Sequence, residues 1–292
     1  MSERRAGWLF IAPALLLLVV FFLLPVALGL VLAVTDFDIY ALGDPSAVRF
    51  VGAENFRQMV KNPLFFRALV NTCYFVGVGG TLSILLSLLA ALALASPLCR
   101  WRGFFRTVYF APVVLTMVAV AVVFRTLYHP DFGLLNRFLK LFGVEPIFWL
   151  GDPAWAMPAI ILLALWKNFG YNMVIFLAGL STIPPTLYEA ASLDGASRWQ
   201  QFWHITLPGL RPTLVFVLIT TLIGYFQLFA EPYVMTGGGG PVNATLSLVL
   251  HMYKEGFRWW NMGYAAAVAV VLFALILLVT APLRWYQRRW SP

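Results

Sequence analysis

Apolar and polar positions along this chain fall in long blocks, not at the short period of a half-buried strand or a surface helix. Apolar runs occur at about 7–34, 68–95, 107–128, 154–180, 212–230 and 262–283. Each can hold the roughly 20 apolar residues that a helix needs to cross hydrocarbon. Backbone groups inside a bilayer must be bonded within their own segment. The pattern therefore predicts an all-α, polytopic membrane helical bundle of six transmembrane helices, forming one transmembrane domain over 1–292. Pro13, Pro25, Pro112, Pro158 and Gly224 fall inside spans, where neighbouring helices can repair the ladder. The first run follows Arg4 and Arg5 and continues from Trp8 to Val34. That is longer than the 7–15 apolar residues of a secretory signal, so an uncleaved span is expected. A twin-arginine export signal is disfavoured because nothing else in the chain resembles exported cargo.

One polar interruption, 181–211, carries a pattern. Pro184 and Pro185 suit the first turn of a helix, where a missing N–H costs little. Glu189, Ala190 and Ala191 follow in helix-forming context. Gly195 after Asp194 reads as a stop. Ser197 with Gln200 three residues on reads as a capping box that opens a second short helix, through Trp199, Phe202 and Trp203 to near Pro208. The stretch is thus expected to be two short helices joined by a tight glycine turn. Its alanines leave a smooth face for close approach, with Glu189 as its charge.

Glu189-Ala190-Ala191, three residues, Gly195, nine residues and then Ile205, Leu207 and Pro208 resembles the EAA loop of the permeases of ABC importers. The spacing EAA-x3-G-x9-I-x-L-P is matched without gap or substitution. The resemblance implies a cytoplasmic coupling helix seated in a groove of an ATPase subunit. Arg106 and Pro112 in RTVYFAP, Gly133 and Asn136 in GLLN, Trp149-Leu150 with Asp152-Pro153, and the TGGGGP run from Thr236 to Pro241 are similar to the maltose-type sugar permeases. That likeness covers nearly the whole chain from Trp8. It implies a heterodimer with a second permease, two ATPase subunits and an extracytoplasmic solute-binding protein. The largest members have extra amino-terminal spans and a large external insert that this sequence lacks.

Composition and charge sharpen this picture. The chain is 61% hydrophobic and 11% charged, against about 25% charged residues in ordinary globular domains. Its formal net charge is +8. Arg4, Arg5, Arg100, Arg102, Arg106, Arg198, Arg211, Arg284, Arg288 and Arg289 share one side with only Glu3, Glu189 and Asp194. The loops 35–66, 129–153 and 231–261 hold seven basic and nine acidic residues. By the positive-inside rule the EAA side and both termini are expected to be cytoplasmic, and the resemblance implies a bacterial inner membrane. The excess charge is a topology signal; nucleic acid would need one clustered basic face. Aromatic residues of the outer loops read either as interfacial anchors or as a docking platform for an external partner. Cys73, Cys99 and the three histidines have no ligand-spaced neighbours, so no metal site is expected.

No Gly-x4-Gly-Lys-Ser/Thr pattern occurs, so this chain is not expected to hydrolyse ATP. Gly237–Gly240 lacks the lysine and the preceding strand of a phosphate loop and reads as a flexible turn. No cofactor is expected on this chain; ATP and Mg belong to the ATPase partners. Polar groups inside the bilayer are costly and mark candidate pathways. The fourth span carries Trp166, Lys167, Asn168 and Tyr171; the fifth carries Thr221, Gly224, Tyr225 and Gln227, with Leu228 on the face of Thr221 and Tyr225. The resemblance implies that Tyr171, Thr221 and Tyr225 sit at sugar-contact positions. Interhelical hydrogen bonding would also explain Thr221 and Gln227. Lys167 points either to an anionic substrate or to an acid of a partner subunit, since no acid of this chain is expected at its depth. A sugar importer is the reading that results. An importer of phosphate esters or polyols is its rival, and a self-sufficient channel or membrane enzyme the rival from another class.

Overall fold

The expected blocks become helices in a computed structural model that describes residues 3–290 apart from Pro45, Ala47 and Pro97, and not the side chains of 3–7, 9, 42 and 286–290. Arg4, Arg5, Arg288 and Arg289, which carry part of the orientation argument, thus lie outside the described side chains. The helices are α1 (Phe10–Leu32), α2 (Glu54–Lys61), α3 (Pro63–Ala95), α4 (Arg102–Val114), α5 (Met117–Leu127), α6 (Leu134–Lys140) and α7 (Pro153–Ser181). Then come α8 (Pro185–Leu193), α9 (Arg198–Gln201), α10 (Arg211–Phe226), α11 (Ala230–Met235), α12 (Leu248–Tyr253) and α13 (Met262–Trp290). No strand occurs among the described residues; Thr35 and Phe50 form an isolated bridge. Among the described residues five helical stretches are long and apolar enough to span a membrane, and a sixth is a bent pair.

The bent pair occupies the span expected at 107–128. α4 and α5 meet at 101°. Pro112 has no N–H to give, and Leu115 and Thr116 are extended, at ψ 145° and 141°. Carbonyls released at such a break must find donors at membrane depth. The Lys167 ammonium donates to Pro112 O at 3.3 Å and Val113 O at 3.4 Å.

The chain divides into two compact units. One comprises Met1–Phe66 with His251–Ala274. Here Asn55 donates to the carbonyls of Ala33 (3.0 Å) and Thr35 (2.8 Å), tying α2 to the end of α1. His251 is buried, 3.3 Å from the Tyr264 hydroxyl, which accepts from Asn62. Burial, helped by nearby Lys254, pushes His251 down to about 4, so it is neutral at physiological pH. Tyr40, Phe257 and Trp259 are exposed rings of this unit.

The other unit, Arg67–Leu250 with Leu275–Pro292, is built around α7. That helix is apolar nearly all round, and a helix of that kind is buried on most sides. Ile160, Leu163, Met173 and Phe176 are fully enclosed. Ser83, Ser87, Ala91 and Leu94 form one buried stripe of α3, and small residues let helices approach closely in lipid. Ser87 Oγ donates to Phe169 O of α7 at 2.8 Å. Ala91, Leu94, Met173, Phe176 and Val217 form a core shared by α3, α7 and α10. Gly170 of α7 lies against the Tyr109 carbonyl of α4 with no room for a side chain.

Two loops of this unit are firmly bonded. Asn136 donates to Pro130 O (3.2 Å) and Ile147 O (3.0 Å), and accepts from Ile147 N and from Trp149 Nε1 (2.9 Å). Asn136→Ala leaves these groups unsatisfied and is expected to cost about 2–4 kcal/mol, read as a lowered unfolding temperature of the detergent-purified protein. The Gly237–Gly240 run forms the turn its composition indicates, with bonds to its neighbours. All four glycines have positive φ, Thr245 N donates to Gly239 O at 2.8 Å, and Asn71 donates to the carbonyls of Asn243 and Leu246. A side chain 172 residues before Asn243 in sequence ties down the end of the loop, and nothing in the loop's own composition reports that.

Candidate functional site

Two places gather the residues singled out by sequence. The first is the hairpin between α7 and α10. α8 starts at Pro185 behind Pro184 and ends at Leu193, with Asp194 as its C-cap; Gly195 follows at φ +78°, a conformation glycine adopts freely. The capping box is present: Gln200 N donates to Ser197 Oγ at 3.4 Å, and Ser197 N to Gln200 Oε1 at 2.7 Å. After α9 the chain runs through a π-helical turn, Phe202–Thr206, and a last turn, Leu207–Gly209. Gln201 donates to Ser192 Oγ (2.9 Å), and the Tyr188 and Thr206 hydroxyls are 3.0 Å apart, which joins the two arms.

The eight expected coupling residues split by environment. Glu189, Ala190, Asp194 and Gly195 are exposed, while Ala191, Ile205, Leu207 and Pro208 are half-buried. Among the described residues a Cβ on Gly195 would meet nothing within 4 Å, and Glu189 makes no ion pair. Leu193 is 90% exposed, an apolar knob beside Glu189 that sequence reasoning passed over because it fits an apolar helix position.

The second place is a cavity of about 270 Å³ walled by α3, α5, α7, α10 and α11. Asn168 and Tyr171 line it from α7; Thr221, Gly224 and Tyr225 from α10; Gln227 and Leu228 from the break that follows. These seven of the nine expected pathway residues come together. Trp166 and Lys167 do not line it. Trp166 tilts against Phe124 at 5.3 Å in a separate apolar groove with Leu127, Tyr128 and Phe138, and Lys167 is turned to the α4 carbonyls.

Asn172 donates to Thr221 Oγ1 at 3.0 Å, the interhelical bond that the polar pattern also allowed. Tyr225 stacks on Phe75 with centroids 4.9 Å apart. Its hydroxyl is buried beside Ser83 and Asn168, and neither it nor Ser83 Oγ reaches a hydrogen-bond partner within 3.5 Å. Phe75, Met117, Asn172, Thr220 and Glu231 complete the lining. Asn172 could have been found by the rule that singled out Asn168, a polar residue mid-span. Phe75 and Met117 carry no signal of their own. Glu231 was placed in an outer loop; the structure sets it in α11, 8% exposed, where its charge and that of Lys167 feel each other. The acid expected to be lacking at this depth is therefore present in this chain, and it corrects the view that Lys167 has no internal counter-charge.

The chain is similar to known proteins over nearly its whole length. It is 40% identical over 287 residues to the lactose transport system permease protein LacF of Rhizobium radiobacter, covering 97% of this chain and 94% of that one. It is 34% identical over 286 residues to the sn-glycerol-3-phosphate transport system permease protein UgpA of Agrobacterium fabrum, covering 97% and 94%. Its fold is shared with a chain of a bacterial alginate ABC transporter in complex with an alginate pentasaccharide-bound periplasmic protein, at TM-score 0.81, 24% identity and coverage of 99% and 96%. Residues 83–292 match the family described as binding-protein-dependent transport system inner membrane component, and with a broken-helix bundle around an internal cavity the chain belongs to that family.

Proposed function

We propose that this chain is one of two permease subunits in an ATP-driven, binding-protein-dependent importer of neutral di- or oligosaccharides, and that it performs no catalysis itself. It sits in the bacterial inner membrane with both termini in the cytoplasm. A second permease, two ATPase subunits that bind ATP and Mg, and an extracytoplasmic solute-binding protein complete the machine. The observation that carries the sugar class is the cavity lining: aromatic Tyr171, Tyr225 and Phe75 beside amides and hydroxyls, a set suited to a ligand with apolar C–H faces and many hydroxyl groups.

The hairpin is the handle for the ATPases. Glu189 offers a charge and Leu193 an apolar knob, while Ile205, Leu207 and Pro208 root the hairpin in the bundle. ATP-driven closure would move the hairpin and open the cavity to one side or the other.

Similarity to a glycerol-phosphate permease favours a second reading, import of phosphate esters. Against it, the Lys167 ammonium is spent on backbone carbonyls, and the charged group lining the cavity is an acid. Proteoliposomes carrying the full complex test both. ATP-dependent uptake of lactose, maltose or cellobiose is expected, with none for glycerol 3-phosphate. Uptake without ATP would mean a channel, and uptake of the ester alone would overturn the sugar class.

A further inference from the structure

We propose that Glu231 is the substrate-reading carboxylate of the cavity, accepting hydrogen bonds from neighbouring sugar hydroxyls and turning away substrates that carry a carboxylate or phosphate. This rests on the sugar-importer reading and names the group that sets its selectivity.

The acceptor inventory of the cavity leads here. A hydroxyl-rich ligand needs acceptors as well as donors. Thr221 Oγ1 already accepts from Asn172, and Thr220 donates its proton to the carbonyls of Phe216 and Val217. The polar lining besides Glu231 consists of neutral side chains. Glu231 therefore brings the strongest acceptor, two oxygens able to take a vicinal pair of hydroxyls, and hydrogen bonds to a charged group exceed neutral ones.

Its setting keeps that capacity open. Glu231 follows directly on the break at Gln227–Phe229, where Phe229 departs from helical geometry at φ −143°. Broken helices at membrane depth are where transporters build substrate sites. Backbone amides of Phe229 and Glu231 steady the carboxylate, and no side-chain donor among the described residues bonds to it. A buried charge with no compensation is very costly. Lys167 supplies an opposite charge, yet its ammonium is held on the Pro112 and Val113 carbonyls and forms no ion pair with Glu231 within 4.0 Å among the described residues. Lys167 thus puts an opposite charge near the carboxylate, and no side chain among the described residues takes up its oxygens. The unpartnered Tyr225 hydroxyl, 5% exposed in the same wall, is a second group waiting for a ligand.

The test uses the purified complex of this chain with its partner permease and ATPases, without the binding protein, so that selection by the cavity alone is read. Probes are lactose, maltose and cellobiose and their aldonates, lactobionate, maltobionate and cellobionate. Wild type is expected to bind at least one neutral disaccharide and to discriminate against its aldonate. Glu231→Gln should weaken the neutral sugar about ten- to hundredfold and shrink the discrimination by a similar factor, while Glu231→Asp restores part of both. Co-purification of all subunits certifies that the variants are folded. If wild type binds a neutral disaccharide and Glu231→Gln matches it in affinity and discrimination, the role of Glu231 is overturned while the importer reading stands. If wild type binds none of the three neutral sugars but binds an aldonate, the sugar class falls and this inference with it.

Discussion

Glu189→Lys abolishes ATP-driven uptake, lowering it roughly a hundredfold, while the chain still inserts and still binds sugar in its cavity. The reasoning is local. Glu189 is exposed on α8 with no ion-pair partner among the described residues, so reversing its charge removes nothing from the fold of this chain. In the proposed coupling role it meets a basic residue of the ATPase, and like charges brought together across an interface cost several kcal/mol. The expected signature is a split: sugar binding near wild type, transport lost, and the ATPase subunits released or uncoupled on purification. Glu189→Gln, which removes the charge without reversing it, should fall between. Wild-type uptake by Glu189→Lys would remove the hairpin from the coupling role.

Gly170→Val prevents the chain from accumulating in the membrane at all. A Cβ at this position would overlap the Tyr109 carbonyl oxygen and carbon. These are backbone atoms of α4, which cannot swing aside as a side chain would. α7 is enclosed by its neighbours, with Ile160, Leu163 and Phe176 fully buried on it, so it cannot retreat either. Overpacking of this kind, at a helix crossing with no slack on either side, is among the few single changes that cost more than about 4 kcal/mol. Gly170→Ala should act in the same direction, since the first added carbon is the one that collides. Membrane yield and monodispersity after detergent extraction measure it. Accumulation of both variants at wild-type level would contradict the close seating of α4 on α7.

How much of this was legible in the sequence depends on whether the cause is local. The hairpin was legible in detail, because Pro184-Pro185, Gly195 and the Ser197–Gln200 pair act within a few residues of themselves. The apolar blocks were legible because bilayer thickness sets their length. The break between α4 and α5 was not. Pro112 shows that a ladder bond is missing, but whether the helix kinks or parts depends on who takes the freed carbonyls, and Lys167 lies 55 residues away. The same lysine was visible as an oddity, and its partners were not, since a carbonyl carries no mark in the sequence. Glu231 was misplaced for a related reason. A ruler of apolar residues stops at the first charge, whereas α11 resumes after a short break and takes that charge inward. Tyr171, Thr221 and Tyr225 were found by the expense of polar groups in lipid, and Phe75 and Met117 could not be, because an apolar residue in an apolar span looks the same whether it faces a cavity or a fatty acid.

The cross-links inside the hairpin have a mechanical consequence. Its arms are joined by the Gln201–Ser192 bond and the paired Tyr188 and Thr206 hydroxyls, and its base by buried Ile183 and Leu210. A push on the outer tip cannot be absorbed by the arms sliding past each other. In the proposed coupling role the displacement would pass to the feet of α7 and α10, the same two helices whose far stretches wall the cavity, and would gear stroke at one end to aperture at the other.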